Sequence, residues 1–210
     1  MPHTARMPGA LNAAALQPGI MQTVFGEEEN RVYAYCLFCR TQRCSRIAQL
    51  LEIRGISRAF SPRILQRKRE QGQNLRKYAD LLPGYVFIFN EEKLDNFSVF
   101  FGIDGVIRRV GGADEWYELR GADRDFAMNL LEKDGVVGGM RIVRIGETVT
   151  LDDPLFASSQ GTVTRIDYRK ERARVDFMFE GNACHTWVAL EDVRNTDGRG
   201  ADVSDICSRG

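Results

Sequence analysis

The chain has 210 residues, 43% hydrophobic and 28% charged, which fits one or two domains of ordinary soluble composition. No apolar run approaches the roughly 18 residues of a membrane span, and the broken "ALNAAAL" patch near the start is too weak for a secretory signal. Net charge is zero but segregated: Arg40 to Lys77 holds eleven Lys or Arg against two acids, Glu52 and Glu70, a field that can steer an anion such as nucleic acid.

Residues 1–30 read as a disordered leader, with Met7 and Met21 as alternative starts, and residues 195–210 as an equally unstructured tail. "RVYAYCLFC" predicts a strand buried on both faces. Cys36 and Cys39 form a C-x-x-C within it, but positions three apart on a strand face opposite ways. No second Cys/His pair follows at zinc spacing, so both read as core. Five cysteines without a secretion signal imply reduced thiols and a cytoplasmic location.

"QRCSRIAQLLEIRG" has helical spacing, with Thr41 as a cap and Gly55 as the stop. The segment from Ser57 to Asp80 reads as extended, with "REQGQN" as a hairpin tip. A Leu-Pro-Gly turn delivers the chain to a strand at Tyr85–Phe89, with Tyr85, Phe87 and Phe89 at alternate positions. "EEKLDNFSVFFGI" predicts a short helix with Leu94, Phe97, Phe100 and Phe101 on one side, and "VIRRV" another strand. "GADRDFAMNLLEKDG" predicts a helix capped near Asp123, with Phe126, Leu130 and Leu131 inward. The order fits an α+β domain over 31–135: an antiparallel sheet with helices mainly on one face.

Residues 136–145 are glycine-rich and read as a flexible linker. Four short strand patterns then follow in "ETVTLDD", "GTVTRIDY", "RARVDFMF" and "CHTWVAL", predicting a small β-barrel over 146–194. Ala173, Val175, Phe177 and Phe179 alternate with polar residues and form its inward row. Catalysis has little to work with. The two histidines are His3 in the leader and His185 in a strand, and no nucleophile context, phosphate loop or dinucleotide pattern is present. Asp152 and Asp153 adjoin Pro154 in a turn, where Asp is common for backbone reasons. The expectation is a non-enzymatic protein with no cofactor and no metal.

"GETVTLDDPLFASSQGTVTRID" resembles a KOW motif through Gly146, Val149, Leu151, Pro154, Leu155, Gly161, Val163 and Ile166. "YAYCLFCRTQRCSRIAQLL", "LLPGYVFIF" and "GIDGVIRRVGG" resemble the amino-terminal (NGN) domain of the NusG family of transcription elongation factors. Together the two signatures cover roughly Arg31 to Arg194 in the family's order. "YELRGADRDFAMNLLEKDGVVG" resembles the specialised antiterminator paralogues known as LoaP more than housekeeping NusG.

The resemblance implies a monomeric cytoplasmic factor that acts by binding, without a membrane. It implies a hydrophobic patch for the clamp helices of RNA polymerase, at Phe38, Leu82, Tyr85 and Phe87. Family members often have an aromatic residue where Leu82 stands. It implies contact with non-template DNA or a nascent RNA hairpin through Arg40, Arg43 and Arg46, through an arm of Arg63, Arg67, Lys68, Arg69, Arg76 and Lys77, and through Arg165, Arg169, Lys170, Arg172 and Arg174 of the second domain. Asn96, Phe97 and Ser98 depart from the His-Thr-Thr pattern with which some relatives touch the opposite polymerase jaw. Phe156, in "PLFASSQG", occupies the position facing a ribosomal protein or termination factor. The expected function is a processive antiterminator recruited by a nucleic-acid signal; the alternatives are a housekeeping NusG-type factor and a ribosome-associated KOW protein.

Overall fold

A computed structural model describes residues 31–94, 98–111, 117–145 and 148–191. The expectations for the leader, the tail, Asn96, Phe97 and Gly146 lie outside them. From Val32 onward the described residues belong to one compact unit.

The first strand, β1 (Tyr33–Cys39), is apolar at nearly every position and takes the interior of an antiparallel sheet. With β2 (Arg58–Phe60), β5 (Tyr85–Asn90) and β6 (Val106–Val110), it gives the order β2-β5-β1-β6. Register pairs Phe38 with Tyr85, Cys36 with Phe87 and Ala34 with Phe89, so these six share a face. Tyr35, Leu37, Cys39, Val86 and Ile88 lie on the other face, in a second cluster. Cys36 and Cys39 thus fall in different clusters on opposite sides of the sheet, as the strand period requires.

Each face is covered by a helix, where the sequence predicted helices mainly on one face. Helix α1 (Cys44–Ile53) buries Cys44, Ile47, Ala48 and Leu51 against the Tyr35–Leu37 side. Helix α2 (Gly121–Glu132) buries Phe126, Ala127 and Leu130 against the Phe87–Phe89 side. Strands apolar on both faces need a cover on each. Thr41 does not cap α1: it opens a 3-10 turn, Thr41–Arg43, and the cap position is Arg43. Asp123 does not cap α2 either: the cap position is Arg120, and Asp123 sits in the first turn.

β3 (Arg63–Glu70) and β4 (Gln73–Asp80) form the predicted hairpin, with Gln71 and Gly72 both at positive φ as a type I′ turn requires. The Leu-Pro-Gly turn closes with the Tyr85 amide donating to the Leu82 carbonyl at 3.2 Å. Gly84 has φ +90°, and a Cβ there would meet the Phe38 ring at 2.9 Å. The predicted helix around Leu94–Phe101 is, in its described part, only a 3-10 turn at Ser98–Phe100, and Phe101 is 76% exposed. Arg54 satisfies the Val99 and Phe101 carbonyls there, at 2.7 and 2.8 Å, bonds that a longer helix would make internally.

Residues 136–145 contribute β7 (Val136–Val137), which pairs in parallel with β3, and β8 (Ile142–Ile145). β8 pairs with β9 (Thr148–Leu151), and β10 (Thr162–Asp167), β11 (Arg172–Phe179) and β12 (Asn182–Ala189) form a three-stranded sheet. Ala173, Val175, Phe177 and Phe179 are all buried, the row predicted from alternation. The loop after β9 instead holds a short helix, α3 (Pro154–Ser158), capped by Asp153, whose Oδ1 accepts from the Leu155 amide at 3.0 Å. Gly161 is required by close approach: a Cβ there would lie 2.6 Å from the Phe156 Cβ. The fold is mixed α+β throughout, with a β-rich carboxy-terminal region consistent with the KOW resemblance.

Candidate functional site

The tight Pro-Gly turn and the β1–β5 register place Phe38, Tyr85 and Phe87 in one row, with Leu82 beside them in the same hydrophobic cluster. Phe38 and Tyr85 are half-buried, their rings 5.1 Å apart, and Phe87 and Leu82 are buried. This face is not open. Phe179, from the end of β11, sits on it, with its ring 5.4 Å from both Tyr85 and Phe87 and 5.5 Å from Phe126. Phe177 stacks on Phe126 at 5.7 Å. The carboxy-terminal sheet and the face share one hydrophobic core.

Polar groups fix the same seating. Phe179 and Asn182 are paired across a two-residue turn, Glu180-Gly181, with both φ values positive. That turn carries Glu180 to the sheet edge, where its carboxylate accepts two bonds from Arg108, at 2.7 and 2.9 Å. This fork geometry makes the pair directional, and the hydrogen bond holds the Arg108 guanidinium above its ordinary range. The Arg108 guanidinium also lies 5.5 Å over the Phe38 ring. The Glu180 amide donates to Asp123 Oδ1 at 3.0 Å, so the acid expected as a helix cap binds the carboxy-terminal turn instead. Just past the end of α2, Lys133 pairs with Asp153 at 3.2 Å. Burial, then the nearby Glu180, pushes the Tyr85 phenol up, and burial pushes the Cys36 thiol well up.

The predicted basic residues divide by what holds them. Arg40 and Arg46 are exposed, and Arg43 between them pairs with Asp104 at 3.2 Å. On the hairpin, Lys68 and Lys77 both bind Glu70, at 3.0 and 2.9 Å, and hold its carboxyl below the usual range. Arg63 lies over the Tyr78 ring at 5.4 Å. Arg67 pairs with Glu171, which follows β10 and a 3-10 turn at Tyr168–Lys170. Lys170 and Arg172 share Asp167, Arg172 lies 4.1 Å over Trp187, and Arg174 pairs with Asp176. Among the described residues Arg40, Arg46, Arg69, Arg76, Arg165 and Arg169 are exposed and hold no ion pair. Phe156 is fully buried, 5.5 Å from Phe177, and presents no surface in this arrangement.

Sequence reasoning named neither Arg108 nor the pair Phe179–Glu180 as part of this site. Phe179 carried a signal, strand alternation, but alternation reports burial and not which surface does the burying. Among the described residues no group of three or more His, Cys, Asp or Glu is placed to hold a metal ion, and no helix is long and apolar enough to cross a membrane.

Comparison with known proteins places the amino-terminal region. Residues 34–127 match the family described as "Transcription termination factor nusG", a span that takes in the strands of the amino-terminal sheet, α1 and the first part of α2. The chain is 26% identical over 128 residues to the "Transcription termination/antitermination protein NusG" of Vibrio vulnificus (strain CMCP6), covering 60% of this chain and 70% of that protein. It is 25% identical over 129 residues to the protein of the same name from Rickettsia typhi (strain ATCC VR-144 / Wilmington), covering 61% and 67%. A solved structure, "Domain interaction in Thermotoga maritima NusG", superposes with a TM-score of 0.47 at 14% identity, over 76% of this chain and 94% of that one.

Proposed function

We propose that this chain is a cytoplasmic, monomeric transcription factor of the NusG type that binds RNA polymerase during elongation and suppresses pausing and termination on selected operons. The observation that carries the reading is the family match over residues 34–127, the segment that builds the Phe38–Tyr85–Phe87 face. Its action is binding, without catalysis. In this reading Phe38, Leu82, Tyr85 and Phe87 meet the clamp helices, and aromatic residues suit such an anchor. The face is occupied by Phe179 in the closed chain, so polymerase binding requires the carboxy-terminal unit to leave.

Recruitment by a signal in DNA or nascent RNA is supported by the unpaired guanidiniums of Arg40 and Arg46 and of the hairpin. The carboxy-terminal unit, read as a KOW domain, then becomes available to a ribosomal protein or termination factor. Contact through Phe156 requires α3 to move, because the ring is buried. The specialised LoaP-like role and the second domain's boundaries, 146–194, belong to the same proposal.

Single-round transcription through an intrinsic terminator tests it, with templates that carry or lack the leader of the neighbouring operon. Read-through that rises only with the leader is expected. Equal read-through on every template would mark a housekeeping factor. No effect and no polymerase binding, with co-sedimentation on ribosomes, would remove the proposal.

A further inference from the structure

The turn seated on the amino-terminal sheet touches it through three different kinds of group. Register places Arg108 of β6 opposite Phe38 of β1, so its side chain shares the face of Phe38, Tyr85 and Phe87. Arg108 is held from within its own sheet: the guanidinium lies 5.5 Å over the Phe38 ring, and Nη1 donates to the Arg109 carbonyl at 3.4 Å. Its remaining bonds, at 2.7 and 2.9 Å, go to the Glu180 carboxylate. Asp123, in the first turn of α2, serves the backbone in the same way and accepts from the Glu180 amide at 3.0 Å. The face thus offers an aromatic row that takes the Phe179 ring, a guanidinium that takes a carboxylate, and a carboxylate that takes a backbone amide. The dipeptide Phe179-Glu180 fills all of them.

A partner that takes the place of this dipeptide meets the same groups. Anything that covers the Phe38 ring also covers the guanidinium above it. Desolvating that cation with no acceptor opposite costs free energy, as does leaving the Asp123 carboxylate without a donor. Burying the aromatic row is therefore not enough to dock here, and the two polar groups select among apolar surfaces. Asp123 also selects against a phosphodiester, which brings a second anion and no amide.

We propose that Arg108 is a selectivity contact for the protein partner of this face, and that the partner's docking segment carries an apolar side chain directly beside a carboxylate, with the acid's own backbone amide free. Phe179-Glu180 imitates that segment within the chain. The proposal rests on the reading that this face meets RNA polymerase. A tight turn or the first turn of a helix supplies such an amide, because the first amides of a helix have no partner within it. The guanidinium fork then gives the partner's carboxylate the bidentate geometry that it gives Glu180.

Removing either half of the Arg108–Glu180 pair breaks the same contact within the chain, so a comparison of the two isolates what Arg108 does for the partner. Glu180→Gln and the double variant Arg108→Gln/Glu180→Gln are compared, as intact chains, for binding to immobilised core RNA polymerase. Cys36 lies opposite Phe87 on the covered face and is 1% exposed, so alkylation of its thiol, followed by peptide mass mapping, reports opening. Both variants are expected to be labelled faster than the wild-type chain, and at the same rate as each other. The double variant is expected to bind polymerase roughly tenfold more weakly than Glu180→Gln, the size of one hydrogen bond to a charged group. Arg108→Lys in the Glu180→Gln background is expected to fall between them, since it keeps the charge and loses the fork. Equal polymerase binding by Glu180→Gln and the double variant would overturn the role of Arg108 and leave the polymerase reading intact. Loss of single-stranded RNA binding in the double variant, with polymerase binding kept, would also overturn it and would assign the guanidinium to a phosphate. No polymerase binding by any variant, Phe179→Ala included, would overturn both.

Discussion

The two faces of the amino-terminal sheet are equally apolar but are closed by different means. On one, Tyr35, Leu37, Val86 and Ile88 meet α1, which follows β1 after a single 3-10 turn. On the other, Phe38, Tyr85 and Phe87 meet α2 in part and Phe179 in part, and Phe179 lies some ninety positions further along the chain. A cover supplied by the adjacent segment forms with the sheet and has no independent existence. A cover supplied by a separate sheet with its own hydrogen bonds can leave as a body. The first face is thus closed by its neighbour in sequence, and the second by a strand from the far end of the chain.

The sharpest way to break this comparison is at Phe179. Phe179→Ala removes a buried ring that touches three others, and truncations of this kind cost about 3–5 kcal/mol. Opening is expected, with faster Cys36 labelling and tighter polymerase binding, while the circular dichroism of the amino-terminal domain persists. Global unfolding instead would make the covered face an ordinary core. Leu51→Ala, on the inward side of α1 and fully buried, is expected to cost about 2–5 kcal/mol and to lower the unfolding midpoint without increasing polymerase binding. The two sites lie on opposite faces, so their costs should add within roughly 0.5 kcal/mol in the double variant. A larger coupling in denaturant titrations would mean the faces are not independent.

A smaller effect is expected at the sheet edge. The Arg108–Glu180 pair is bidentate, but Arg108 is nearly half exposed, so Glu180→Gln should weaken closure by about 1 kcal/mol or less. Titrating labelling rate against salt should show the wild-type chain, and not the variant, opening further as ionic strength rises. The smallest effect concerns Tyr85. Its phenol is held above the ordinary value of 10.0 by burial and by Glu180. A group raised in the closed state contributes stability that is complete below its open-state value and is lost as pH rises through the raised one. Phenolate absorbance should therefore show one tyrosine titrating higher in the closed chain than in Phe179→Ala, with the difference absent when Tyr85→Phe is added. Identical titrations would place Tyr85 outside the interface.

Much of this molecule was legible in the chain. The alternation of "RARVDFMF" predicted which residues would be buried, and that of "YVFIFN" which aromatic residues share a face, because side-chain direction in a strand is set by local geometry. The hairpin tip at Gly72 and the Pro-Gly turn were legible because glycine and proline set turn conformations locally. The Asp123 expectation failed because an acid in a first helical turn suits a cap in isolation, and a competing amide, that of Glu180, arrives only in the folded chain. In its described part the predicted helix is a 3-10 turn at Ser98–Phe100, where Arg54, far off in sequence, takes the Val99 and Phe101 carbonyls.

The sequence by itself determined the strands, their inward rows, the charge segregation and the family pattern of the amino-terminal domain, all of which depend on neighbouring residues or on composition. Only the tertiary structure decided that the row of Phe38, Tyr85 and Phe87 is roofed by Phe179, and that Arg67 is bound to Glu171. Burial is an amount, readable from a pattern; the partner that produces it is a choice among surfaces, and that choice is made by shape and charge brought together from distant parts of the chain.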